Sequence, residues 1–156
     1  VKVVMSGGQG SKTAEPYAYA KLATKGDVLP PFYVTNDFVK ERDSSGNPTR
    51  IEVTLGRSPP PGQENANAFR ADFHIGQKMK ISKMHAILYW NADQEKFYIK
   101  SICKNAVKVD GHIYPGSPDG QQGQSAALVS RSKIEIADGV PIYFLLPSML
   151  PANKPR

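Results

Sequence analysis

Three short stretches of this chain carry the side chains able to do chemistry: Gly56-Arg57, Ile81-Ser82-Lys83-Met84-His85 and Cys103-Lys104-Asn105-Ala106. Brought together, Arg57, Ser82, Lys83, Lys104 and Asn105 offer a guanidinium fork, a hydroxyl, ammonium groups and an amide, with no carboxylate among them. A planar fork and point charges without a competing acid suit a doubly charged phosphate, whose oxygens accept charge-assisted hydrogen bonds. They do not suit acid–base chemistry. Ser82 precedes His85 by three residues, a spacing that invites a nucleophile-and-base reading. No acidic residue lies nearby in sequence to orient the histidine, and no G-x-S-x-G turn is present. The chain is therefore expected to be non-enzymatic, with no catalytic residue, cofactor or metal.

These stretches need strands to hold them. Ile51–Leu55 alternates, with Ile51, Val53 and Leu55 on one face and Glu52 and Thr54 on the other, and it ends at Gly56-Arg57. His85–Trp90 starts where the second stretch ends. Phe97–Ile102 ends where the third begins, and Asn91–Lys96 between these two runs reads as a hairpin. Successive antiparallel strands alternate direction, so loops before one strand and after another can meet at one end of a sandwich. Tyr17–Leu22, Phe32–Val39, Phe73–Ile75, Val107–Val109, Ile113–Tyr114, Ala127–Val129, Lys133–Ile136 and Ile142–Leu146 are further strand candidates. Asp110-Gly111 is a tight-turn signature. No segment carries a sustained helical stripe. The fold class expected is all-β: a two-sheet antiparallel sandwich of about ten or eleven short strands with long loops and little or no helix. Residues 1–15 read as a flexible lead-in, 16–147 as one domain and 148–156 as an extended tail. Ser58–Asn67 and Pro115–Ser125 exceed the usual loop length, as functional loops and insertions do.

Composition narrows the classes. The chain has 156 residues, with 20 Lys+Arg against 14 Asp+Glu, which suits one domain with loops and tails. Gly and Pro number 13 each, above average but below a disordered composition. No apolar run reaches the roughly 18 residues of a membrane span, and the first residues do not read as a secretory signal. A single cysteine, Cys103, allows no internal disulfide, and His74, His85 and His112 lie far apart with no Cys partner pair for zinc. Residues 57–112 hold nine Lys+Arg against five acids, and Gly76–His85 carries Lys78, Lys80 and Lys83 with no acid. A basic loop of this kind attracts anions. Trp90, Tyr89, Phe97 and Phe144 read as core or sheet surface rather than a base-stacking platform. Cys103 reads as a packing residue or an idle thiol.

The order G-R, S-x-x-H, N-x, V-x-V-D-G in a run of short strands resembles the forkhead-associated (FHA) domain. The elements are Gly56-Arg57, Ser82-Lys83-Met84-His85, Asn105-Ala106 and Val107–Gly111. The resemblance spans roughly residues 17–147. The stretches Ala18–Leu22 and Lys104–Gly111 look most like FHA domains of forkhead-type transcription factors. The resemblance implies an eleven-stranded sandwich that binds phosphothreonine peptides through loops at one end, in nuclear signalling or transcription. By it, Arg57 and Ser82 hold phosphate, Lys83 adds charge, and Lys104 faces the phosphate. Asn105 bonds the peptide backbone, Lys80 sits in the loop that reads residues following the phosphothreonine, and Gly56 and His85 support the loops. Two departures matter. Ala106 stands where the family usually has Gly, and a left-handed Ala costs about 1 kcal/mol. The stretch from Ser58 to Lys80 is longer than usual and could cover or extend the site.

The partner expected is a phosphothreonine-containing protein or peptide, with nucleic acid not expected for this domain, no membrane, and a larger parent chain in the nucleus or cytoplasm. The alternatives are a phosphate-independent FHA-type interaction domain, which Ala106 motivates, and a nucleic-acid-binding β domain.

Overall fold

The computed structural model describes residues 18–147. The expected lead-in 1–15 and tail 148–156 lie outside the described residues. Alternation of apolar and polar side chains makes the strands, and turn residues cut them. In chain order they are β1 (Ala20–Ala23), β2 (Phe32–Val34), β3 (Val39–Arg42), β4 (Pro48–Gly56), β5 (Phe73–His74) and β6 (Ala86–Asn91). The second half adds β7 (Lys96–Ser101), β8 (Val107–Val109), β9 (His112–Tyr114), β10 (Ser125–Leu128), β11 (Ser132–Glu135) and β12 (Ile142–Leu145). They form two six-stranded sheets. One runs β2-β1-β12-β11-β8-β9; the other runs β10-β7-β6-β4-β3, with β5 added against β4. Every pairing is antiparallel except β4 with β5, which is parallel.

Each strand gives one face to the space between the sheets. Ile51, Val53 and Leu55 of β4 are fully buried, as the alternation requires, and Leu88, Ile99, Ile134 and Phe144 face them from both layers. Rings cross the gap: Phe97 of β7 meets Phe144 of β12 at 5.5 Å, and Phe32 of β2 meets Phe73 of β5 at 4.8 Å. Among the described residues twenty-five hydrophobic side chains are buried, enough for a continuous core between the layers.

One expected strand divides. Phe32–Val39 reads as a single β run, but it is β2, a 3-10 turn at Asn36–Phe38, and then β3 in the other sheet. Thr35 is the cause. Its Oγ1 accepts the Asp37 N–H at 3.3 Å, and its carbonyl accepts the Phe38 N–H at 3.0 Å. A hydroxyl that captures the backbone two residues on competes with the ladder. Among the described residues the strand count is twelve, against about ten or eleven expected, and this division adds one. Asp110-Gly111 forms the expected two-residue turn: both have positive φ, 50° and 85°, and Val109 pairs with His112 across it.

Candidate functional site

The β4–β6 ladder continues past the strand ends and sets the first half of the site. The His85 N–H donates to the Leu55 carbonyl at 2.9 Å, and the Arg57 N–H donates to the Ser82 carbonyl at 3.0 Å. Arg57 and the Ser82–Lys83 turn are thus locked side by side. The approach leaves no room at Gly56, where a Cβ would lie 1.9 Å from the Lys83 carbonyl oxygen. In Gly56→Ala that oxygen must retreat to at least 3.0 Å. We expect a stability loss of about 1–3 kcal/mol and at least a tenfold loss of ligand affinity, read by urea unfolding and by titration of the ligand tested below. Affinity within twofold of wild type would detach this turn from the site.

His85 joins the two halves. It is completely buried. Its Nδ1 accepts the Ser82 N–H at 3.0 Å, so Nε2 carries the proton and donates to the Ala106 carbonyl at 3.2 Å. Behind it, Ser101 Oγ lies 2.5 Å from the Asn105 carbonyl, and the Ser117 N–H donates to the Cys103 carbonyl at 3.0 Å. The 115–124 loop folds down onto 101–105 so closely that a Cβ at Gly116 would stand 2.2 Å from the Cys103 carbonyl. This loop is a buttress for Asn105, which its composition did not reveal. Ala106 is absent from the residues with positive φ. The left-handed strain anticipated there does not arise, so the loop turns here without a positive φ at this position.

The structure gathers the expected residues into two groups. Arg57 and Lys83 stand over the same ring, Phe69, with their charged ends 6.0 and 5.3 Å from its centre. Arg57 Nη1 donates to Met79 Sδ at 3.0 Å, and its buried Nε has no partner. Lys80 and Asn105 line a cavity of about 450 Å³ with Ala106, Ile113, Glu135 and Asp138. There Lys80 lies 3.9 Å from Asp138, both well exposed. Lys104 is exposed and lines neither this cavity nor the one beside Arg57. Phe69, Met79 and Ser101 were not singled out from sequence. Nothing local to them signals the site; their roles come from distant residues folded against them.

Cys103 is a half-buried free cysteine with hydrogen-bonding groups around its sulfur. Burial pushes its thiol up; hydrogen bonds from His85, Ser101 and Ser82 and from the Asn105 N–H outweigh it and bring the thiol down to about 6. Ser101 Oγ and the Asn105 N–H lie 3.4 Å from Sγ, whereas both ring nitrogens of His85 already face backbone groups. Ser101 Oγ and the Asn105 N–H are the groups in contact with Sγ that would hold the thiol low. Iodoacetamide alkylation is expected to rise with a midpoint near 6. A midpoint at the ordinary thiol value of about 8.5 would mean that these donors do not hold the sulfur. Among the described residues no group of three His, Cys, Asp or Glu could hold a metal ion.

Two packed sheets with lysine- and arginine-bearing loops brought together define a loop-presenting β-sandwich. The particular sandwich is the forkhead-associated fold. The chain superposes on the N-terminal FHA domain of Rad53 from Saccharomyces cerevisiae, solved with a phosphothreonine peptide, at a TM-score of 0.58 and 14% identity, covering 83% of this chain and 94% of that one. It superposes on the MEK1 FHA domain, solved with a phosphothreonine peptide of HOP1, at 0.52 and 14%, covering 83% and 97%. At these identities what is shared is the fold. No family model matches the chain. In sequence it is 28% identical over 102 residues to fork head protein homolog 2 of Schizosaccharomyces pombe, covering 64% of this chain and 15% of that protein. It is 30% identical over 104 residues to the fork-head transcriptional regulator FHL1 of Candida albicans, covering 67% and 8%. The chain thus spans a small part of the curated relatives it matches, and those relatives are of the forkhead type to which Ala18–Leu22 and Lys104–Gly111 pointed.

Proposed function

We propose that residues 16–147 form a non-enzymatic module that reads phosphothreonine in a partner protein, within a larger nuclear protein of transcriptional signalling. The observation that carries this reading is the convergence of Arg57, Ser82 and Lys83 at one end of the sandwich, tied through His85 to the Asn105 loop. Arg57 supplies the fork, Ser82 a hydroxyl and Lys83 charge. Asn105 holds the peptide backbone, Lys104 adds to the positive field, and Lys80 meets residues following the phosphothreonine. The solved FHA structures with phosphothreonine peptides support the ligand class, and the forkhead regulators support the nuclear setting.

The test is fluorescence anisotropy with an oriented phosphothreonine-peptide library, run beside phosphoserine and unphosphorylated versions. Binding confined to the phosphothreonine set is the expected result. Equal affinity for phosphorylated and unphosphorylated peptides would overturn the reading.

A further inference from the structure

The 58–80 segment is longer than the resemblance leads one to expect, and it is clipped onto the sandwich. Its far end is fastened to β4: the Thr54 N–H donates to Asp72 Oδ2 at 2.9 Å, and the Asp72 N–H returns to Thr54 Oγ1 at 2.9 Å. His74 Nε2 donates to the Phe69 carbonyl at 3.3 Å, and Gln77 Nε2 to the Pro59 carbonyl at 3.1 Å. Phe69 is held beneath the charged ends of Arg57 and Lys83.

Between these anchors lies a cavity of about 230 Å³ lined by Arg57, Ser58, Pro60, Phe69, Gln77 and Met79. Its walls are chiefly a proline ring, a phenyl ring and a thioether. Met79 is 79% exposed, the most exposed large hydrophobic side chain among the described residues. The volume is below the roughly 300–1,000 Å³ of a small-molecule site; it suits one side chain. Gln77 is already paired, and no carboxylate lines the cavity. With Arg57 paired to phosphate, an apolar occupant would leave no charged group of the lining unpaired and would cover an adaptable methionine.

We propose that this cavity is a second subsite, which takes an apolar side chain of the same phosphopeptide from among the residues preceding the phosphothreonine. The occupant is fixed by continuity: Arg57, the phosphate fork, is one of its walls. The direction follows from the proposed role of Lys80. Met79 and Lys80 are consecutive, yet Met79 borders this cavity and Lys80 borders the larger one with Asn105. If following residues run toward Lys80, preceding ones run toward Met79. The inference rests on the phosphothreonine reading and adds to it the chemical class of a flanking residue.

The test is a coupling cycle read by fluorescence anisotropy. Phosphothreonine peptides are swept at the three preceding positions, and wild type is expected to select Leu, Ile, Met or Phe at one of them. Changing that residue to Gly should weaken binding about tenfold. Phe69→Ala should weaken the apolar peptide about tenfold more than it weakens the Gly peptide, whose loss reports only the ring removed from beneath Arg57 and Lys83. Met79→Ala, at an exposed position, repeats the cycle with little risk to folding. Losses that multiply across the cycle, or phosphate-dependent binding indifferent to every preceding residue, overturn the subsite alone. Binding that ignores phosphorylation overturns the underlying reading and the subsite with it.

Discussion

Arg57→Ala is expected to abolish phosphothreonine-peptide binding while leaving the domain folded. A guanidinium fork on phosphate makes two charge-assisted hydrogen bonds, each contributing about 1.5–3 kcal/mol. Together these correspond to roughly a 10²- to 10⁴-fold loss of affinity. The free protein holds the fork ready. Nη1 is occupied only by Met79 Sδ at 3.0 Å, and Nε has no partner at all. A thioether is a weak acceptor, so a phosphate oxygen displaces it at small cost. The fold does not depend on this side chain, because the bond that aligns Arg57 with Ser82 comes from its backbone N–H. Thermal unfolding should therefore shift little. Arg57→Lys keeps the charge and loses the fork, so its affinity should fall between wild type and Arg57→Ala. Wild-type affinity in a folded Arg57→Ala variant would refute the placement of phosphate at this residue.

Much of this arrangement is legible wherever the information is local. The period-2 run Ile51–Leu55 states its own inner face, and all three apolar members are fully buried. Asp110-Gly111 states its own turn because only certain residues tolerate two successive positive φ values. Gly56-Arg57 and Ser82–His85 are legible as a set because one lies at the end of β4 and the other leads into β6. Interactions set by distant residues are not legible. Thr35 diverts Phe32–Val39 through a single side-chain bond, which β propensity does not register. Ala106 looked strained only on the assumption that its loop turns as a glycine loop does; the positive φ values near that cavity fall on Ala137 and Asp138 instead. Cys103 gains its character from Ser101 and Asn105 after the loop closes. Phe69 belongs to a stretch with no periodicity, and becomes a wall of the site only once Asp72 and His74 fasten the segment.

His85→Ala is expected to damage stability and binding together, and this separates it from Arg57→Ala. The imidazole is fully buried and satisfies two backbone groups that belong to different loops, the Ser82 N–H and the Ala106 carbonyl. Removing it leaves both unpaired in the interior, at about 1–3 kcal/mol each, and opens a cavity beneath them. A total loss of about 3 kcal/mol, equivalent to a fall in Tm of roughly 10 °C, is the expected magnitude. Because the ring bonds both loops, Ser82 and Asn105 lose a tie that fixes their spacing. A ligand held at both then has to order them itself, so affinity should fall at least tenfold even at temperatures where the variant is fully folded. An anisotropy titration well below the variant's Tm, beside a urea melt, reads the two effects separately. Lowered stability with wild-type affinity would make His85 a core residue with no part in holding the loops. Wild-type stability would mean that solvent reaches and satisfies both backbone groups, so that the two halves of the site are not coupled through this ring.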